Sequence, residues 1–162
     1  VELRSVTEAD GPFLAALYAS TRDDLAAIGL APEGLAALLA QQLDARTRHH
    51  AAHHPDASDD VIEVDGAPAG RLVVARPPEE LRLVDVALLP AHRGRGVGSR
   101  VLAAVLAEAD GRGVPVVLYV EPGNPAARLY GRLGFRPSGD AGIHRRLVRP
   151  PAGAAPQPKT AS

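Results

Sequence analysis

The chain has 162 residues, 46% of them hydrophobic, which suits one domain with a single sizeable core. Aromatic residues make up only 3% and there is no Trp or Met, so that core must be built from Ala, Leu and Val. A formal charge of -1 supplies no global field toward nucleic acid or an anionic membrane, and the absence of Cys excludes disulfides, thiolate nucleophiles and Cys-held metals.

The first residues, VELRSVTEAD, carry acids where a secretion signal would be apolar. No run approaches the roughly 18 apolar residues of a membrane span. A soluble, cytoplasmic protein is therefore expected. Leu3 to Val6 reads as a short strand, and Thr7 with Asp10 resembles a capping box in which Asp replaces Glu or Gln. A helix follows through Phe13, Leu14, Leu17 and Tyr18. Pro32 and Glu33 suit the first turn of a second helix, with Leu35, Leu38, Leu39 and Leu43 on its core side.

The segment Thr47 to Asp60 holds His49, His50, His53 and His54 before Pro55 and a polar, acidic run. On a continuing helix, His49/His53 and His50/His54 would be i,i+4 pairs, the spacing by which two imidazoles reach one metal. The plainer reading is a solvated helix end stopped by Pro55, with His near the favourable C-terminus; a separate alternative gives one His a role in a substrate cleft. No metal is assigned.

Val61 to Val64 is a strand, Asp65-Gly66 a hairpin turn, and Pro68 to Arg76 the returning strand. After the stiff Pro77-Pro78 link, Leu81 to Leu89 is apolar enough to be buried on much of both faces, and Pro90 ends its ladder for want of an N–H. A loop of alternating Arg and Gly comes next. From Ser99 the period changes, and Val101, Leu102, Val105 and Leu106 fall on one helical face. Gly113 to Pro115 break the helix and Val116 to Val120 form a buried strand, which implies a parallel pair with a right-handed crossover. Pro125 to Leu133 is a short helix, Gly134 its C′ residue, Phe135 to Pro137 open another strand, and Ile143 to Arg149 complete the sheet. The stretch from Pro150 to Ser162 is too rich in Pro, Ala and Gly to offset its ordering cost and reads as a disordered tail. The expected organisation is one domain over residues 1–149 and that tail.

A strand feeding a helix through glycines is an anion site in outline. Gly94, Gly96 and Gly98 let the backbone turn through positive φ and approach a ligand. The first helical turn offers unpaired N–H groups at the positive end of its dipole, and Arg93 and Arg95 add charge. The letters exclude two familiar loops: Gly98 is followed by Ser99 and Arg100 rather than Lys and Ser or Thr, and neither Gly94 nor Gly96 starts a G-x-G-x-x-G.

What fits is R-x-x-G-x-G over Arg93, Gly96 and Gly98, joined downstream by NPAARLYGRLGF from Asn124 to Phe135. With these two motifs in this order the chain resembles the GCN5-related N-acetyltransferase (GNAT) superfamily. The resemblance implies an α/β (α+β) fold with a centrally splayed, mixed sheet of about six to seven strands and about four helices. It implies acetyl-CoA as co-substrate, with Val86, Ala87 and Leu88 pairing with the pantetheine arm as a false strand. Arg93, Gly94, Arg95, Gly96, Val97, Gly98 and Ser99 would hold the pyrophosphate, and Asn124 and Ala127 would contact the cofactor. Tyr130 corresponds to the Tyr that donates a proton to the CoA sulfur, and a phenol of ordinary pKa ~10 carries that proton at neutral pH. The family usually has one more residue between its Asn and Tyr than Asn124 and Tyr130 allow, which turns a helical partner by about 100°. Its early helices line the acceptor cleft. Its general base is often a carboxylate on the central or the next parallel strand; the candidates are Asp85, set among valines and costly to bury unpaired, and Glu121, which better suits loop ordering.

Two functions follow. One is an N-acetyltransferase acting on a primary amine of a small molecule, peptide or protein by direct attack in a ternary complex, since no Cys can form an acyl-enzyme. The other is a sensor that binds acyl-CoA without turnover. Nothing in either reading calls for a nucleic-acid or membrane partner, and a homodimer is compatible with both because dimers are common in the resembled family.

Overall fold

The computed structural model describes residues 1–153. Among the described residues, seven strands and five α-helices give a mixed α/β architecture built on a seven-stranded sheet. The chain divides into two compact units, the first made of 1–76 and 83–101 and the second of 77–82 and the residues from 102 onward.

In the first unit the strand order is β1 (Glu2–Ser5), β2 (Ser58–Val64), β3 (Ala67–Ala75) and β4 (Leu81–Leu88), whose first two residues belong to the second unit. β1 and β3 both pair antiparallel with β2. Asp65 (φ 51°) and Gly66 (φ 80°) are both left-handed, as a two-residue turn matched to strand twist requires. β2 starts at Ser58, three residues before the apolar run that announces it. Asp59 can lie in a strand because Arg71 across the ladder grips both its oxygens, at 2.8 and 2.6 Å, and Arg71 is itself buried. Gly70 on β3 is required for another reason: a Cβ there would stand 2.2 Å from the Ala87 carbonyl oxygen and 2.8 Å from Leu88 Cδ2.

The same unit carries α1 (Gly11–Ser20), the single turn α2 (Asp23–Ala26) and α3 (Pro32–His53). Leu17 and Tyr18 of α1 are buried, whereas α3 has no buried residue over 22 positions. Leu35, Leu38, Leu39 and Leu43 are only half-covered. Ala15 and Ala19 of α1 and Ala36 and Ala40 of α3 line a shallow apolar groove together with Leu39 and Leu43.

The entry into α1 is locked as the Thr7–Asp10 spacing predicts. Thr7 N–H donates to Asp10 Oδ2 at 2.7 Å, while Arg4 adds bonds of 2.9 and 2.7 Å to the same carboxylate. Arg4, then Thr7, hold the Asp10 carboxyl well below the usual carboxylate range. A depressed pKa contributes stability that is whole above the unfolded-state value and is lost as pH falls through the folded one. Asp10→Asn should therefore flatten the acid side of the stability curve, the gap between wild type and variant in urea midpoint shrinking between about pH 5 and about pH 2. A constant gap over that range would show that the carboxylate's charge is immaterial.

In the second unit the order is β5 (Val116–Val120), β7 (His144–Arg149) and β6 (Arg136–Ala141), so the last strand inserts between its predecessors. Both pairings are antiparallel. Leu81 N–H donates to Pro115 O at 2.9 Å, fixing the first residue of β4 beside the start of β5. Helix α4 (Val97–Arg112) crosses from the first unit to the second at Leu102, and its Leu102, Val105, Leu106 and Ala109 are buried. The short α5 (Ala127–Arg132) completes the unit. Of the stretch read as a tail, Pro150 to Gly153 are described, and Ala152 N–H donates to Asp110 Oδ1 at 2.8 Å beside the Arg149–Asp110 ion pair. The remainder, 154–162, lies outside the described residues. Among the described residues no helix is long and apolar enough to cross a membrane.

Candidate active site

The first unit presents a strand end, a loop and a helix start. Asp85, Val86, Ala87 and Leu88 close β4, all half-buried. Pro90 both ends the strand and opens a 3-10 turn, and Leu89 N–H is tied to Ala69 O at 2.8 Å. Arg93 to Gly96 form an exposed turn, with Gly94 at φ 71° and Gly96 at φ 78°. No atom lies within 4 Å of a Cβ built on either glycine, so each is needed for its backbone angle and not for space. Gly98 differs from the sequence expectation: it is the second residue of α4 and has no positive φ. The helix begins two residues before Ser99 because buried Val97 anchors it and Arg100 N–H already closes on Gly96 O at 3.1 Å. The amides of Val97, Gly98 and Ser99 are the orphan donors of that first turn. Arg93 folds back, donating from Nε to Leu88 O at 2.9 Å, so its guanidinium is moored at the mouth of the loop.

Asp85 is engaged on one side. Arg46 on α3 donates from Nη2 to Asp85 Oδ1 at 2.9 Å, and the Asp85 side chain is 14% exposed. Sequence reasoning missed Arg46, 39 residues away; the one available signal was its i,i+4 relation to His50, which puts both on one helix face. The histidines separate in environment. His53 Nδ1 meets His49 O at 2.9 Å and the two rings lie 4.0 Å apart, whereas His50 Nδ1 is buried without a hydrogen-bond partner. Among the described residues no three His, Asp or Glu side chains are grouped to hold a metal ion.

The second unit holds the other motif. Tyr130 on α5 is 5% exposed and its ring meets Phe135 edge-on at 5.7 Å. The helix closes as a Schellman motif, with Phe135 N–H to Tyr130 O at 3.0 Å, Gly134 N–H to Gly131 O at 3.2 Å, and Gly134 at φ 97°. That is why the L-Y-x-x-x-G-F spacing is obligatory. Asn124 spends its carbonyl locally: Oδ1 accepts from Ala126 N–H at 2.8 Å, and its backbone oxygen accepts from Ala127 N–H at 3.1 Å. The helix thus starts at Ala127, two residues beyond the expected Pro125. Glu121 is an exposed side chain 3.8 Å from His144, and its backbone oxygen receives Asn124 N–H at 3.2 Å.

The sequence model of the acetyltransferase (GNAT) family matches residues 18–135, from α1 through the loop after β4 to Phe135. The chain belongs to the GNAT family. Its likeness to solved structures spans nearly the whole chain. An acetyltransferase from Thermus thermophilus is 26% identical with a TM-score of 0.64, over 92% of this chain and 96% of that one. The PaiA N-acetyltransferase from Thermoplasma acidophilum, in complex with coenzyme A, shares 15% identity and a TM-score of 0.67 over 92% and 98% of the two chains. Ard1 from Thermoplasma volcanium shares 19% and 0.61 over 93% and 97%. These last two share the fold. No curated protein sequence matches the chain. As a GNAT protein the chain is an N-acetyltransferase, and the α/β fold and family expected from its two motifs are those found.

Proposed function

We propose that the chain transfers the acetyl group of acetyl-CoA to a primary amine by direct attack in a ternary complex. The observation that carries this reading is the turn between β4 and α4. Two left-handed glycines, two arginines and three orphan amides at a helix start fit a diphosphate, which needs close backbone approach and positive potential. Acetyl-CoA supplies an activated thioester; the rest falls to the chain. Residues Arg93 to Ser99 bind the diphosphate, the backbone of Val86, Ala87 and Leu88 pairs with the pantetheine arm, and Ala127 together with the Asn124 amide group contacts the cofactor. Asp85 keeps Oδ2 for the incoming ammonium while Arg46 holds Oδ1. Tyr130 gives its hydroxyl proton to the departing sulfur.

The loop is tested by calorimetry. In Gly96→Ala a non-glycine residue in the left-handed region costs about 1–2 kcal/mol, so the loop relaxes away from its binding form and coenzyme A affinity falls about tenfold. Gly111→Ala, where a Cβ on α4 also meets nothing within 4 Å but the backbone is helical, leaves affinity unchanged. Equal affinities for the two variants would remove the loop from the site. A thiol-release assay with acetyl-CoA and pooled primary amines separates turnover from a sensor, which binds coenzyme A and releases no thiol.

A further inference from the structure

Asp85, the carboxylate beside the proposed cofactor-pairing segment of β4, already has one cation against it. Arg46 of α3 approaches with a single nitrogen, Nη2 to Oδ1 at 2.9 Å, and not with the two-pronged grip that a guanidinium and a carboxylate can form. Each partner therefore has something left over. Oδ2 accepts no hydrogen bond among the described residues and is not sealed from solvent, and the remaining guanidinium N–H groups of Arg46, a side chain 42% exposed, donate to no described residue. Arg71 of β3 also feels the Asp85 charge, but it is buried and its fork is spent on both oxygens of Asp59. Of these two guanidiniums, Arg46 is the one with donors to spare.

We infer that Arg46 makes this site selective for a free α-amino acid, whose ammonium docks on Asp85 Oδ2 while its carboxylate takes the open donors of Arg46. The inference rests on the acetyltransferase reading above and adds no chemical step to it. What it adds is the class of acceptor.

The charges favour that class. Arg46 and Asp85 together are neutral, so an acceptor bearing only an ammonium meets a carboxylate whose charge is already balanced and gains little net attraction. A molecule that carries both signs gains at both ends: guanidinium, carboxylate, ammonium and carboxylate then alternate around a closed ring, each charge flanked by two opposite ones. Closing the ring needs the two charges of the acceptor close together, because Oδ2 and the open edge of Arg46 belong to groups joined by one 2.9 Å hydrogen bond. An α-amino acid carries them on a single carbon. A peptide N-terminus, or a lysine side chain within a protein, has no carboxylate beside its amine and would leave the Arg46 donors to water. A guanidinium suits the task because its planar fork can serve two carboxylates at once, which the point charge of a Lys does less well.

The test is thiol release from acetyl-CoA with matched acceptors: a set of α-amino acids, their carboxamides, and the amines left when the carboxylate is removed. Wild type should favour the amino acid over either counterpart by about tenfold or more in kcat/KM, the worth of one hydrogen-bonded charge pair. Arg46→Gln should shrink that ratio by about the same factor, mainly by raising KM for the amino acid. Amine basicity is the same for enzyme and variant, so the change in ratio reports recognition alone. Arg46→Lys, which keeps the charge and loses the fork, should give an intermediate ratio and carries the test if Arg46→Gln fails to fold. Arg48→Gln, also on α3 but paired with Asp44, should keep the wild-type ratio. An ion pair that merely fastens α3 to β4 would make Arg46→Gln slow every acceptor alike. An unchanged ratio in the Arg46 variants, or a wild type that prefers the decarboxylated amines, overturns the inference and leaves the acetyltransferase reading standing. A wild type that binds coenzyme A but releases no thiol with any amine overturns both.

Discussion

With Tyr130 as the proposed proton donor, Tyr130→Phe should lower kcat about a thousandfold, the middle of the range for a positioned general acid, and leave coenzyme A affinity unchanged. The change removes one oxygen from a ring that is 5% exposed and packed edge-on against Phe135 at 5.7 Å. Phenylalanine keeps that packing, and the Schellman closure of α5 depends on Gly134 and backbone atoms and not on the hydroxyl. Loss of a hydroxyl's hydrogen bonding costs about 1 kcal/mol of stability, far from enough to unfold the unit. The deficit therefore falls on the step in which the sulfur departs. A substrate analogue whose thiol is more acidic needs less help from a proton donor, so the wild-type-to-variant ratio should shrink with such an analogue. If kcat is unaffected, or if the variant fails through weakened coenzyme binding, Tyr130 is a packing residue.

Gly70→Ala should destabilise the protein by about 3 kcal/mol, at the upper end for overpacking. The added methyl would lie 2.2 Å from Ala87 O, 2.8 Å from Leu88 Cδ2 and 3.2 Å from Ile62 Cδ1. A leucine side chain can swing aside, but a backbone carbonyl moves only with its strand. The strand in question is β4 at two of the residues proposed to pair with the pantetheine arm, so coenzyme A affinity should fall together with stability. Urea unfolding followed by circular dichroism would show a lower midpoint at an unchanged slope. A variant with a wild-type midpoint would mean that β3 and β4 are not held this closely.

What the sequence disclosed was local. The Arg93-x-x-Gly96 turn, the Asp65-Gly66 hairpin and the Leu129-to-Phe135 closure are each set by backbone angles that few residues tolerate, so the letters carry the geometry. What it concealed depends on partners far along the chain. Asp59 looks like loop until Arg71 is seen across the ladder, and Asp85 looks like an unpaired acid until Arg46 arrives from α3. The insertion of β7 between β5 and β6 leaves no trace in local pattern, because antiparallel strands read alike in either position. Gly98 misled for the opposite reason: within a run of alternating glycines, nothing in the letters marks which of them the helix has already claimed.

The polypeptide leaves the first unit at Pro77, comes back at Leu83 and departs again at Leu102. No single scission can therefore release two autonomous halves. Synthesis from the N-terminus delivers every residue of the first unit once Val101 has emerged from the ribosome, whereas the second unit must wait for β7. During translation the unit that carries the Arg93–Gly96 turn is thus complete in covalent terms before the unit bearing Tyr130, and a nascent chain stalled shortly after Val101 is the earliest species that holds all of its residues.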